Sequence, residues 1–169
     1  MRWAGFLALL VATNCSAATY YVRSDGNDRA SGKSDPEAWA SVEKVNRQSL
    51  KPGDVVLFRE GDRWRGQLAV HWSGTSSSYS TVGAYYVENG MPVRGLRDRR
   101  PIIEGAGRYP TGGIYDALVM VNTQDYVRVE NVEIRNSAGR GIVFRRSDHG
   151  DVVNVVIDGA YVDGIHFLD

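Results

Sequence analysis

Residues 129–144 read VENVEIRNSAGRGIVF, and residues 152–167 read VVNVVIDGAYVDGIHF. Aligned, Val129 falls on Val152, Asn131 on Asn154, Val132 on Val155, Ile134 on Ile157, Gly141 on Gly164, Ile142 on Ile165 and Phe144 on Phe167, each pair 23 positions apart. One step earlier the likeness fades, yet Leu118, Val119 and Val121 keep the register of Gly141, Ile142 and Phe144. A fixed period of this size marks a solenoid, whose repeats bury their apolar faces only by stacking on one another. Three short strands per period, near residues 127–129, 132–134 and 141–144, with no helix between them, predict an all-β, three-sheet parallel β-helix. Each coil would lie about 4.8 Å beyond the last.

That geometry assigns the repeated side chains. Val129, Val132, Ile134, Ile142 and Phe144 point inward with their counterparts one period later, forming apolar columns. Asn131 and Asn154 stack at a tight turn, because asparagine tolerates a left-handed backbone and its amide can bond its neighbour in a ladder. Their expected role is structural.

Upstream, strand-length apolar runs occur at residues 55–58 (VVLF), 67–70 (QLAV), 81–85 (TVGAY), 101–104 (PIIE) and 118–121 (LVMV), separated by Gly, Ser, Asp or Pro. Residues 19–23 (TYYVR) alternate like an edge strand. Between them lies the single helical pattern. Asp35 is placed to cap it, Pro36 to open it, and Trp39, Val42 and Val45 share one face before Lys51-Pro52-Gly53 ends it. A β-helix exposes unpaired backbone and apolar core at its end. The helix around Trp39 is therefore expected to be an N-terminal cap.

The chain has 169 residues, with 20 Lys and Arg balancing 20 Asp and Glu. Zero net charge speaks against nucleic-acid binding, which needs a basic footprint. At 43% hydrophobic and 24% charged residues, the composition is that of a folded protein and not of a disordered one. Arg2, the apolar residues 6–11 (FLALLV) and the small residues 12–18 (ATNCSAA) read as an export leader cleaved near Ala17 or Ala18. The apolar stretch is far shorter than the ~20 residues of a membrane span. Cys15 follows a poor lipidation signal, and leader removal takes away the single cysteine. The expected organisation is a signal peptide over 1–18, a cap over 19–53 and coils over 54–169. The exported product would be periplasmic or extracellular. With no closing element after Asp169, the solenoid reads as incomplete, an N-terminal portion inactive by itself and prone to self-association through an open apolar end.

Thr19-Tyr-Tyr-Val-Arg, Asp25-Gly-Asn-Asp, Trp39, Lys51-Pro-Gly-Asp-Val-Val-Leu-Phe, Trp64-Arg-Gly, Ser73-Gly-Thr, Gly83-Ala-Tyr and Pro101-Ile-Ile-Glu-Gly occur in an order that resembles the N-terminal part of secreted bacterial proteins of the pectate-lyase-like superfamily. Residues 77–93 depart from the pattern, with Tyr79 where an Asn-Pro is common and Tyr85-Tyr86 in place of Tyr-Gly. The resemblance implies a polysaccharide-active β-helix protein: a lyase or epimerase of a uronate-containing glycan, a noncatalytic glycan-binding or structural module, or a polygalacturonase-like hydrolase. It also implies that the parallel β-helix is right-handed, with a substrate groove along one sheet.

Alternation places Met120, Val143 and His166 on the outer face of the sheet holding residues 118–121, 141–144 and 164–167, with Arg145 one outward position further on. Arg140 and Asp163 directly precede two of these strands. The candidate catalytic group is His166, Asp163 and Arg140; Arg145, Met120 and Val143 are candidate substrate contacts. Arginine pairs with a carboxylate and histidine moves a proton near neutral pH, which are the two needs of uronate lyase or epimerase chemistry. Asp163-Gly164-Ile165-His166 also resembles the Asp-Gly-Ile-His stretch of polygalacturonases, but Val162 stands where a Thr is expected and hydrolysis needs a partner carboxylate. Asp148, Asp163 and Asp169 are candidate Ca2+ ligands, although they form no compact motif. The acidic polysaccharide partner has a further candidate contact in the arginine-rich residues 94–100 (RGLRDRR), and Trp64, Trp72 and Tyr109 serve equally as sugar platforms or as packing.

Overall fold

The computed structural model describes residues 17–112 and 116–169. Arg2, residues 6–11 and Cys15 lie outside the described residues. Strand β1 (Thr19–Val22) and the short helix α1 (Val42–Asn46) precede four coils. The first coil consists of β2 (Val55–Arg59), β3 (Arg63–Arg65) and β4 (Leu68–Val70). The second contains β5 (Ser80–Glu88), β6 (Met91–Arg94), β7 (Ile102–Glu104) and β8 (Ala117–Asn122). The third contains β9 (Val127–Glu130), β10 (Glu133–Arg135) and β11 (Arg140–Arg145), and the fourth β12 (Asp151–Val153), β13 (Val156–Asp158) and β14 (Ile165–Leu168).

Each coil gives one parallel strand to each of three sheets, in the orders β1-β2-β5-β9-β12, β3-β7-β10-β13 and β4-β8-β11-β14. Register follows the sequence period: Val129 pairs with Val152, Ile134 with Ile157, Ile142 with Ile165 and Phe144 with Phe167. The core is a set of columns. Val56, Val82 and Val129 stack in the first sheet, Trp64, Ile103 and Ile134 in the second, and Leu68, Val119 and Ile142 in the third. All of these are buried, and each fully buried aliphatic side chain contributes about 1.5–3 kcal/mol relative to exposure.

The helix differs from the sequence expectation. Asp35 and Pro36 do not open it; Ser41 does, with an extended backbone and a hydroxyl that accepts from Lys44 N at 3.0 Å. Asp28 fixes that start by accepting from Ala40 N, Ser41 N and Ser41 Oγ. Trp39 lies outside the helix, in a parallel bridge to Val22, buried and stacked on Tyr20 with ring centroids 4.9 Å apart. The Asp35 carboxylate instead accepts from Tyr85 Oη at 2.8 Å; burial first, and this bond second, push the Tyr85 hydroxyl above its ordinary range. From α1, Asn46 reaches the outer edge of β4, donating to Gln67 O at 2.8 Å and accepting from Ala69 N at 2.9 Å.

The second coil carries the irregular part. After β5 the chain turns at Asn89-Gly90, both in the left-handed region, and returns as antiparallel β6. This hairpin occupies the segment whose motifs depart from the resemblance. An Asn-Gly pair between strand residues is a strong hairpin signal.

Candidate functional site

Strand β11 starts where a serine-anchored turn delivers it. Ser137 Oγ donates to Arg140 O at 2.6 Å and accepts from Gly139 N at 3.3 Å. Arg140 then extends along the coil axis, and its Nε donates to Asp163 Oδ2 at 3.0 Å. The arginine side chain is nearly buried, whereas Asp163 is 43% exposed. His166 on β14 shares the same oxygen, with Nδ1 at 2.9 Å. Because a carboxylate only accepts, the neutral imidazole that makes this bond carries its proton on Nδ1 and its lone pair on Nε2. The His166 bond first, and the Arg140 bond second, hold the Asp163 carboxyl below its ordinary value. The three candidate catalytic residues thus form one connected group on the outer side of the third sheet.

The candidate substrate contacts divide. Met120 and Arg145 are half-buried, and Arg145 pairs in register with Asn122 and Leu168. Val143 was expected to present an outer surface but has 0% exposure. It is a short side chain on a central strand, flanked in register by Met120 and His166. Val143 therefore supports its neighbours and offers no surface to a ligand.

Other sequence candidates fall elsewhere. Asn131 and Asn154 both have positive φ, at 57° and 51°, and Asn154 Nδ2 donates to Asn131 Oδ1 at 2.7 Å. Among the described residues, no group of three or more His, Cys, Asp or Glu side chains is placed to hold a metal ion. Three arginines of residues 94–100 pair with the fold, Arg94 with Glu130, Arg97 with Glu88 and the Tyr86 ring, and Arg100 with Asn154, whereas Arg99 is exposed beside Asp98. Trp64 and Trp72 are core residues, whereas Tyr109 is 37% exposed.

A cleft of about 630 Å³ is lined by Gly107, Asn136, Ser137, Ala138, Gly159 and Tyr161 among others. Tyr161 is 74% exposed, and its backbone N–H donates to Ser137 O and Gly139 O. The cleft thus flanks the turn leading to Arg140. The available signal was the period itself, which sets Tyr161 beside Ala138.

No protein-family model matches this chain. The lacto-N-biosidase of Bifidobacterium longum subsp. longum is 30% identical over 137 residues, covering 73% of this chain and 8% of that protein. Among solved structures, GH136 lacto-N-biosidase from Eubacterium ramulus matches with a TM-score of 0.67 and 23% identity, over 89% of this chain and 30% of the other. An alginate lyase from Paenibacillus sp. FPU-7 matches with a TM-score of 0.58 and 20% identity, over 74% and 37% of the two chains. The chain thus spans less than two-fifths of any of these proteins. Its fold is the pectate-lyase-like parallel β-helix. Among the described residues, no helix is long and apolar enough to cross a membrane.

Proposed function

We propose that this chain belongs to an exported, carbohydrate-active β-helix protein that acts as a lyase or epimerase on a uronate-containing glycan. The observation carrying this reading is the Arg140–Asp163–His166 group, in which one carboxylate holds a histidine with its second nitrogen directed away from the pair. In the proposed step His166 Nε2 removes the proton from C5 of the uronate. Arg145 neutralises the adjacent carboxylate and so acidifies that C–H bond. Asp163 fixes the imidazole tautomer and stabilises the imidazolium that forms, and Arg140 keeps Asp163 ionised. For an epimerase, solvent water delivers a proton to the opposite face of C5 and the hydroxide formed takes up the proton held by His166; for a lyase, C4=C5 forms as the C4–O bond breaks, and the departing oxygen takes the proton that His166 removed. Residues 19–53 are proposed to cap the solenoid, with Asn46 supplying bonds to the free edge of β4, while 54–169 form its coils.

Glycoside hydrolysis is the second reading, favoured by the likeness to lacto-N-biosidases. In that reading the lowered Asp163 carboxyl suits the ionised nucleophile or base, and a partner carboxyl with a raised value would have to be the general acid. A third, noncatalytic reading has the same groove bind glycan without reaction.

The test is to incubate the gene product, expressed in full, with alginate, pectate, glycosaminoglycans and a lacto-N-bioside. A lyase generates the ultraviolet absorbance of an unsaturated uronate, and an epimerase incorporates solvent deuterium at C5. New reducing ends without absorbance or exchange would replace the proposal with hydrolysis, and no change on any substrate would leave the binding module.

A further inference from the structure

We propose that the chain is cut between Ala17 and Ala18, and that the liberated α-ammonium group of Ala18 binds the buried carboxylate of Asp54. This rests on the export reading above and adds both the bond that is cut and the group that receives the new terminus. Small residues make Ala17 and Ala18 equally acceptable as the last leader residue.

The structure separates the two. Ala18 N donates to Asp54 Oδ1 at 2.8 Å, and Ala18 O accepts from Val55 N at 2.8 Å. Asp54 is 1% exposed; its Oδ2 accepts from Lys51 N at 2.9 Å and its backbone oxygen from Trp72 Nε1 at 3.2 Å. Its charge also reaches Tyr20, whose hydroxyl is pushed up first by burial and then by Asp54.

A cut after Ala17 keeps both Ala18 bonds. Water is the co-reactant: the Ala17–Ala18 amide C–N bond breaks, Ala17 leaves with the carboxylate, and Ala18 keeps the nitrogen, which becomes an ammonium. A neutral amide donor is thereby replaced by a charged one at the same carboxylate oxygen, and charge-assisted hydrogen bonds are the stronger kind. A cut after Ala18 removes both bonds. It takes the acceptor from Val55 N and one donor from a buried carboxylate, a costly loss at such a site. Asp54 thus acts as a receptor for the processed terminus.

The test is to express the chain with its own leader in an exporting bacterium and to determine the intact mass and N-terminal sequence of the exported product. The expected product begins at Ala18. A product beginning at Thr19 overturns this inference alone; an uncleaved product overturns the export reading with it, and a lipidated Cys15 terminus overturns the site. Chains beginning at Ala18 and at Ser16 should then be melted with and without Asp54→Asn. The Ala18 form should melt about 2–4 °C higher, and Asp54→Asn should erase the difference. If that variant fails to fold, acetylating the Ala18 terminus should erase it instead. Equal melting with free and acetylated termini overturns the pairing.

Discussion

Arg140 and Asp163 stand at the same point of successive coils, and Arg140 Nε donates to Asp163 Oδ2 across that step at 3.0 Å. The carboxyl, held below its ordinary 3.8 by His166 and then Arg140, binds protons less readily folded than unfolded. Its contribution to stability is therefore complete above the ordinary carboxyl value and is lost as pH falls through the lower folded value. Asp163→Asn should lower the melting temperature near neutral pH, and the gap to the parent should close as the pH is taken well below 4, by roughly the amount the carboxyl has titrated. A gap independent of pH would mean that the pair contributes nothing through charge.

The same group governs the proposed chemistry. In the gene product expressed in full, His166→Ala should lower kcat by about 10²–10⁴-fold, the range for a lost general base, with little change in KM. Asp163→Asn keeps the imidazole but loses its orienting charge, so it should reduce kcat less and shift the pH–rate profile. Unchanged rates for His166→Ala would remove the site assignment, while circular dichroism of the variant guards against simple misfolding.

The two repeated glycines make a sharper structural test. A Cβ on Gly141 would lie 2.5 Å from Gly164 O and 2.8 Å from Ile157 Cγ2, and the former is backbone that cannot swing away. On Gly164 the nearest atom is Ile157 Cδ1 at 3.8 Å, an ordinary contact. Gly141→Ala should therefore cost about 1–3 kcal/mol, whereas Gly164→Ala should stay within about 0.5 kcal/mol. Denaturant unfolding of both variants checks the contrast, and equal costs would contradict the stacking of the third coil on the fourth.

How much of this was legible beforehand follows from where the repeat is clean. Val129, Ile134, Ile142 and Phe144 recur at the period because β9 to β11 and β12 to β14 are joined by turns of equal length, so their places in the columns could be read directly. The second coil hid its match because β6 and the residues 95–100 are inserted before β7. Asn89-Gly90 is the sequence signal of that hairpin, set between strand residues 80–88 and 91–94. Helical spacing at Trp39, Val42 and Val45 misled, because a bridge to Val22 and a short helix share that period. The Arg140–Asp163–His166 group was legible as a column. Its hydrogen bonding and the burial of Val143 were not, since both depend on how side chains lie across neighbouring coils.

The last coil presents the remaining test. Among the described residues, Val153 is 46% exposed, Val156 38%, Ile165 44% and Phe167 56%, and β12, β13 and β14 each form an outer strand of their sheets. Phe167 stacks on Phe144 with ring centroids 4.9 Å apart, so its other face is presented along the coil axis. Apolar side chains beside unpaired strand backbone favour pairing with another chain. Sedimentation over a concentration series should show reversible association of this chain. Placing a charge in that face with Phe167→Asp should raise the concentration needed by at least tenfold, the equivalent of about 1.4 kcal/mol. A single monomeric species across the series, unaltered by Phe167→Asp, would show that the exposed face is tolerated as free surface.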